Sequence, residues 1–147
     1  MIRSFGFSIT GLMADHWQNC CRGYSLSISG QQSFALQEEN KVIGFLAGFV
    51  SQTDPTQAYV HFVAIHPDHR RRGLGRQLYT AFFETVQRLG CATARCITSP
   101  VNTGSVAFHT RMGFQIEGVT GEHQGVPCTL NHELNRQHRV LFMRRLS

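Results

Sequence analysis

From Val60 to Leu89 the period of the apolar positions changes once, and that change organises the chain. Val60, Phe62 and Ala64 interleave with His61, Val63 and Ile65 in a short, nearly continuous apolar run that suits a buried strand. Pro67 stops the strand, because its φ is fixed and it has no N–H for a ladder. Residues 68–72 form a polar, strongly basic turn. Beyond it, Leu74, Leu78, Ala81, Phe82, Thr85, Val86 and Leu89 recur at offsets of three and four, which predicts a helix with one apolar face. Gly90 stands just past its end, where a left-handed residue commonly closes a helix.

The same reading extends outward. Residues 33–38 and 41–51 are two β-rich runs separated by Glu39 and Asn40, a strand, turn, strand pattern. Gly44 and Gly48 in the second run predict a bulge or a close backbone approach. Residues 93–99 form the next strand, ended by Pro100, and strand, helix, strand in this order requires a parallel crossover. Residues 114–117 and 139–144 are the closing strands. Residues 118–138 between them are polar, contain glycine and are longer than most connections, which marks them as a candidate recognition loop. Upstream, residues 2–9 suit an edge strand and residues 12–21 a short helix carrying Trp17. The expected fold is α/β with a mixed sheet, an antiparallel opening followed by a β-loop-α-β unit, in one domain spanning residues 1–147.

Composition narrows the class. A hydrophobic content of 41% with only 16% charged residues describes a globular chain with a real core, not a disordered one. There is no apolar run of membrane-spanning length, and residues 1–10 lack the apolar core of a signal peptide, so the expected location is cytoplasmic. The five cysteines, Cys20, Cys21, Cys91, Cys96 and Cys128, lack CxxC spacing and suit reduced, mostly buried thiols. The histidines show no paired ligand spacing, and no metal site is expected. The formal charge of +5 invites a nucleic-acid reading. However, five of the fourteen basic residues fall between Arg70 and Arg88, and no face interleaves them with aromatics, so no nucleic-acid partner is expected.

The chemistry gathers at the turn. A helix N-terminus has unpaired N–H groups and the positive end of the dipole, and glycines let backbone approach a ligand. Arg70, Arg71, Arg72 and Arg76 add positive charge. The site therefore suits a phosphate or pyrophosphate. The dinucleotide fingerprint needs a third glycine, and the Walker loop needs a lysine where the chain's only lysine is Lys41. What the residues do spell is Arg70-x-x-Gly73-x-Gly75, following Ile65-His66-Pro67. A second pattern lies about thirty residues on, with Asn102, Ser105, Phe108, His109, Gly113 and Phe114 at fixed spacing. There Asn102 is a natural N-cap and Gly113 a natural helix end.

Together these two stretches resemble the acetyl-CoA loop and the later signature of the GNAT superfamily of N-acetyltransferases, over about residues 41–118. The resemblance implies acetyl-CoA as cofactor, with Val63, Ala64 and Ile65 contacting pantetheine through their backbone. It further implies that Arg70 to Arg76, including Arg71, Arg72, Gly73, Leu74 and Gly75, hold the pyrophosphate. Asn102 and Ser105 would line the cofactor near its acetyl end, with Phe108 packing against it. The family's thiolate-protonating tyrosine corresponds here to His109. An imidazole can donate a proton near neutrality, and Tyr24, Tyr59 and Tyr79 are alternatives. For the base, His61 is preferred, with Tyr59 two residues away on the same face of the strand.

The expected activity is transfer of acetyl from acetyl-CoA to a primary amine, of a small molecule, directly in a ternary complex. A protein lysine or N-terminus is the alternative acceptor, and a non-catalytic acetyl-CoA-binding module is the alternative class. Dimers are frequent among the proteins it resembles, and nothing in the chain locates an interface.

Overall fold

The computed structural model describes residues 25–28, 32–132 and 135–147; the expected strand at residues 2–9 and helix at 12–21 lie outside them. Its elements run β1 (Ser25–Ile28), β2 (Phe34–Glu38), β3 (Lys41–Val50), β4 (Gln57–Ile65) and α1 (Leu74–Arg88). They continue with β5 (Thr93–Thr98), α2 (Thr103–Arg111), β6 (Gln115–Glu117), β7 (Gly121–His123), β8 (Val126–Cys128) and β9 (Val140–Arg145). One sheet orders its strands β1-β2-β3-β4-β5-β9-β6, and β7 pairs β8 apart from it. Every pairing is antiparallel except β4 with β5. That is the mixed sheet the sequence predicts.

Glu39 and Asn40 both take positive φ, as a two-residue hairpin turn between right-twisted strands requires. The hairpin β7–β8 turns in the same way on Gln124 and Gly125, inside a stretch expected to be loop. Its strands of three residues are too short to show a period, and Gln is not among the residues that announce such a turn.

α1 lies across one face of β2, β3 and β4. It buries Leu74, Leu78, Tyr79, Ala81, Phe82, Phe83 and Val86, a wider face than the offsets of three and four outline. Tyr79 and Phe83 join the core, whereas Leu89 is half exposed because it caps the helix. Each large side chain buried this way is worth about 1.5–3 kcal/mol. Gly48 explains how close the helix comes: a Cβ there would lie 2.4 Å from Cε2 of Phe82.

The register of β4 on β3 slips between Ala47 and Gly48, so that Ala47 faces Phe62 and Gly48 faces Val60. His61 is the extra residue of a β-bulge. Ala58 and Val60 are buried under α1, but beyond the bulge Val63 and Ile65 take over that face. Phe62 is thrown to the other side and is 59% exposed. The regular alternation expected through Phe62 and Ala64 is thus corrected by one residue of slippage.

Candidate active site

β4 and β5 part in the middle of the sheet. They are in register from Gln57 with Thr93 to Val60 with Cys96, and no further. Among the described residues no strand pairs the β5-facing edge of β4 from His61 to Ile65, while β5 stays paired with β9 through Thr98. The fork therefore begins at the bulge. The rings of His61 and Phe62 stand together there at the surface, with centroids 4.2 Å apart and edge to face. Tyr59 lies on the face away from α1, stacked on Phe49 at 5.5 Å. The bulge, not simple alternation, sets the relation between Tyr59 and His61.

Past the fork, Pro67–His69 form one 3-10 turn that leads into α1. Arg70 reaches back, its Nε donating to the Ile65 carbonyl at 3.2 Å, and so ties the basic turn to the end of β4. Gly73 is the N-cap of α1 in the left-handed region, at φ 74°, with no side-chain cap. A Cβ added there would meet nothing within 4 Å, so the glycine is required by its backbone angle and stands beside open space. The first helical bond runs from the Gln77 amide to the Gly73 carbonyl, which leaves the amides of Leu74, Gly75 and Arg76 without a helical acceptor. Arg71, Arg72 and Arg76 are exposed around this turn, and Leu74 is buried, so that only its backbone is on offer.

Gly75 also has a packing task. A Cβ there would sit 3.1 Å from the Phe108 ring, so this glycine lets α1 and α2 touch. Phe108 accordingly packs on α1, with its centroid 5.7 Å from that of Tyr79. Asn102 caps α2, its Oδ1 accepting from the Ser105 amide at 3.1 Å.

His109 is the largest departure. It is 4% exposed and caged by Phe108, Phe114, Phe142 and Tyr79. Its Nδ1 lies 2.8 Å from the Ser105 carbonyl, and its Nε2 lies 2.6 Å from the Tyr79 hydroxyl. A carbonyl can only accept, so Nδ1 carries the proton and Nε2 accepts from Tyr79. Burial pushes the His109 pKa down and the Tyr79 pKa far up, and pushes Cys96, which bonds Tyr79, up to about 12. The histidine that stands where the resemblance puts a thiolate-protonating tyrosine is a neutral member of a buried network. Tyr79, one of the tyrosines offered as an alternative to His109, is its hydrogen-bond partner.

This has a measurable consequence. Above the ordinary histidine value of 6.5 both native and unfolded chains hold His109 neutral, and stability is indifferent to pH through this group. Below it the unfolded chain binds a proton that the native chain resists. Stability then falls with falling pH, by up to about 1.4 kcal/mol per unit, until the depressed native pKa is reached. Urea unfolding between pH 7.5 and 5 should show a shallower slope for His109→Gln than for wild type. Equal slopes would remove the neutral assignment.

Among the described residues, no three His, Cys, Asp or Glu side chains gather as a metal site. No helix of the described residues is long and apolar enough to cross a membrane. Cys91, Cys96 and Cys128 are buried free thiols, and Cys20 and Cys21 lie outside the described residues. In the late segment, Glu117 is engaged in an ion pair with Arg95 that reaches over β9. Residues 136–139 and His123 come together with the end of β5 around a cleft of about 260 Å³.

The Acetyltransferase (GNAT) family model matches residues 5–114, most of the chain. The chain belongs to that family. Among GNAT relatives, the [Ribosomal protein bS18]-alanine N-acetyltransferase of Escherichia coli (strain K12) is 27% identical over 82 residues, which are 56% of this chain and 53% of that protein. The L-methionine sulfoximine/L-methionine sulfone acetyltransferase of Pseudomonas paraeruginosa is 28% identical over 94 residues, 60% of this chain and 55% of that one. The chain thus spans about half the length of the curated relatives it matches. The GNAT fold is equally plain in yncA of Salmonella typhimurium, a putative acetyltransferase solved with its cofactor acetyl-CoA. It superposes with a TM-score of 0.59 at 18% identity, covering 92% of this chain and 70% of that one.

Proposed function

We propose that the protein is an acetyl-CoA-dependent N-acetyltransferase that acetylates a primary amine of a small molecule by direct transfer. One observation carries this reading: the fork between β4 and β5 opens at His61, on the strand that leads straight into the uncapped N-terminus of α1. The residues present fit acetyl-CoA. The open space beside left-handed Gly73, the amides of Leu74 to Arg76 and the guanidinium groups of Arg71, Arg72 and Arg76 suit a pyrophosphate. The edge of Val63, Ala64 and Ile65, which no described strand pairs, suits the amide-bearing pantetheine arm, and Asn102 and Ser105 open α2 beyond it.

Bound there, acetyl-CoA supplies an activated acyl carbon. The protein's own part is to place an amine against it. His61, exposed at the bulge, accepts the amine proton and can return it to the departing sulfur. A backbone N–H between Val63 and Ile65 offers a donor to the carbonyl oxygen. Tyr59 shapes the approach from the face away from α1. The neutral, doubly bonded His109 supports a positioning role that holds α2 on α1, so the proton path does not need it.

A small acceptor is supported by the substrates named for the Pseudomonas relative. The Escherichia coli relative, named for a protein alanine, supports an N-terminal amine as the second reading. Calorimetry tests the first step. CoA should bind more tightly than ATP, and Arg76→Glu should weaken CoA about tenfold or more, as reversal of a phosphate-facing charge does. Tighter binding of ATP, or an indifferent Arg76→Glu, would overturn the reading.

A further inference from the structure

Three hydrogen bonds converge on Ser105, in the first turn of α2. Its amide donates to Asn102 Oδ1 at 3.1 Å. Its carbonyl accepts from His109 Nδ1 at 2.8 Å, and its hydroxyl oxygen lies 3.2 Å from the same nitrogen. A helical side chain leans over the turn N-terminal to it, so the imidazole at 109 sits on residue 105, four positions earlier. Behind the ring, Tyr79 donates from α1 to Nε2 at 2.6 Å. With the proton on Nδ1, the Ser105 oxygen can only accept from the ring, and its own O–H must point elsewhere. In the other tautomer Nδ1 would draw that O–H in. Two bonds, one from Tyr79 and one to the Ser105 carbonyl, select the first tautomer.

The place of Ser105 gives that O–H its use. β4 leads into α1 and β5 leads into α2, and the two helices touch where Gly75 meets Phe108, three residues after Ser105. An arm running from the first turn of α1 into the fork therefore passes the first turn of α2. There Ser105 is half-buried beside exposed Asn102, Thr103 and Gly104. Breaking a thioester sends the C–S electron pair onto sulfur, and a donor aimed there stabilises the charge. We propose that Ser105 is a catalytic residue whose hydroxyl donates a hydrogen bond to the departing sulfur, and that Tyr79 is a positioning residue that keeps this hydroxyl turned outward through His109. Ser105 keeps its proton, and the proton that sulfur finally takes is the one His61 removed from the amine. The buried pair behind Ser105 suits this arrangement, since neither ring has to ionise. The use of Ser105 rests on the acetyltransferase reading, whereas the chain of bonds from Tyr79 to Ser105 does not.

At saturating acetyl-CoA, Ser105→Ala should lower kcat about 10- to 100-fold, the value of one hydrogen bond to a charged group, with CoA affinity by calorimetry within about twofold of wild type. Tyr79→Phe keeps the ring in its cluster with Phe83 and Phe108. It should lower kcat per folded molecule about tenfold alone, and less than about twofold in Ser105→Ala, because the two residues act as a unit. Ring-nitrogen NMR, with the His109 signals assigned by His109→Gln, should place the proton on Nδ1 in wild type. The thiol of bound CoA gives a readout without turnover. Its ionisation, followed by thiolate absorbance as the difference between CoA-loaded and free protein, should need a pH about one unit higher in Ser105→Ala than in wild type. That shift supports the site even if no amine is acetylated, an outcome that would count only against the transferase reading. A His109 proton found on Nε2 would overturn the proposal, since Nδ1 would then hold the Ser105 O–H. So would unchanged kcat together with unchanged thiol ionisation in Ser105→Ala, or a Tyr79→Phe loss equally large in both backgrounds.

Discussion

Replacing His61 with alanine is expected to lower kcat roughly 10²- to 10⁴-fold, the usual contribution of a positioned base. CoA affinity measured by calorimetry should remain at the wild-type level, because the pyrophosphate turn lies beyond Pro67 and His61 is not part of it. The separation of the two readouts is the point. His61 is the extra residue of the bulge, so its side chain adds nothing to the ladder that a truncation would lose. It is exposed, and its ring stands against that of Phe62, itself exposed. A purely structural histidine in that place would show lost stability and unchanged turnover. Full activity in His61→Ala, measured as thiol release with the preferred amine, would move the base elsewhere, with Tyr59 the nearest candidate.

Phe82→Ala should cost about 3–5 kcal/mol of stability and lower Tm by about 10 °C. Its ring is fully buried and fills the space over Gly48, where the Tyr59 and Gln32 carbonyls lie 3.0 and 3.1 Å from the place a Cβ would take. Backbone lines that socket on several sides, so it cannot close around a smaller residue and a cavity remains. The loss should be visible in denaturant midpoints. It should also reduce turnover beyond the fraction unfolded, because Gly48 pairs with Val60 and the bulge at His61 begins there. A cost below about 1 kcal/mol would show that the helix does not depend on this contact.

The central unit was legible because its signals are local. The change from strand to helical period, Pro67, the left-handed Gly90 and the Asn102 cap each act within a few residues, and each stands where the sequence indicates. The fork follows from topology, since parallel neighbours that take different partners must separate. What was not legible depends on partners distant in sequence. Whether His61 or Phe62 keeps the strand's alternation is decided by β3, where Gly48 admits the helix and the register slips. The burial of His109 depends on Tyr79, thirty residues earlier, and on Phe142 at the far end of the chain. A spacing pattern reports only that position 109 faces something. The cleft at Arg136 and Arg139 is similarly silent in sequence, because His123 and Ser99 reach it from separate elements.

The edge of β4 beyond Val60 has a consequence for handling the protein. Among the described residues no strand pairs this edge over residues 61–65, and it presents backbone groups that an extended chain can adopt, including a second copy of the same edge. An arm rich in amide groups laid into that gap acts as a surrogate strand, and at a hundredfold excess over Kd it adds about 2.7 kcal/mol to the folded state by mass action. Preparations kept with CoA should therefore resist clumping on storage and heating, whereas ligand-stripped ones should lose material through this seam.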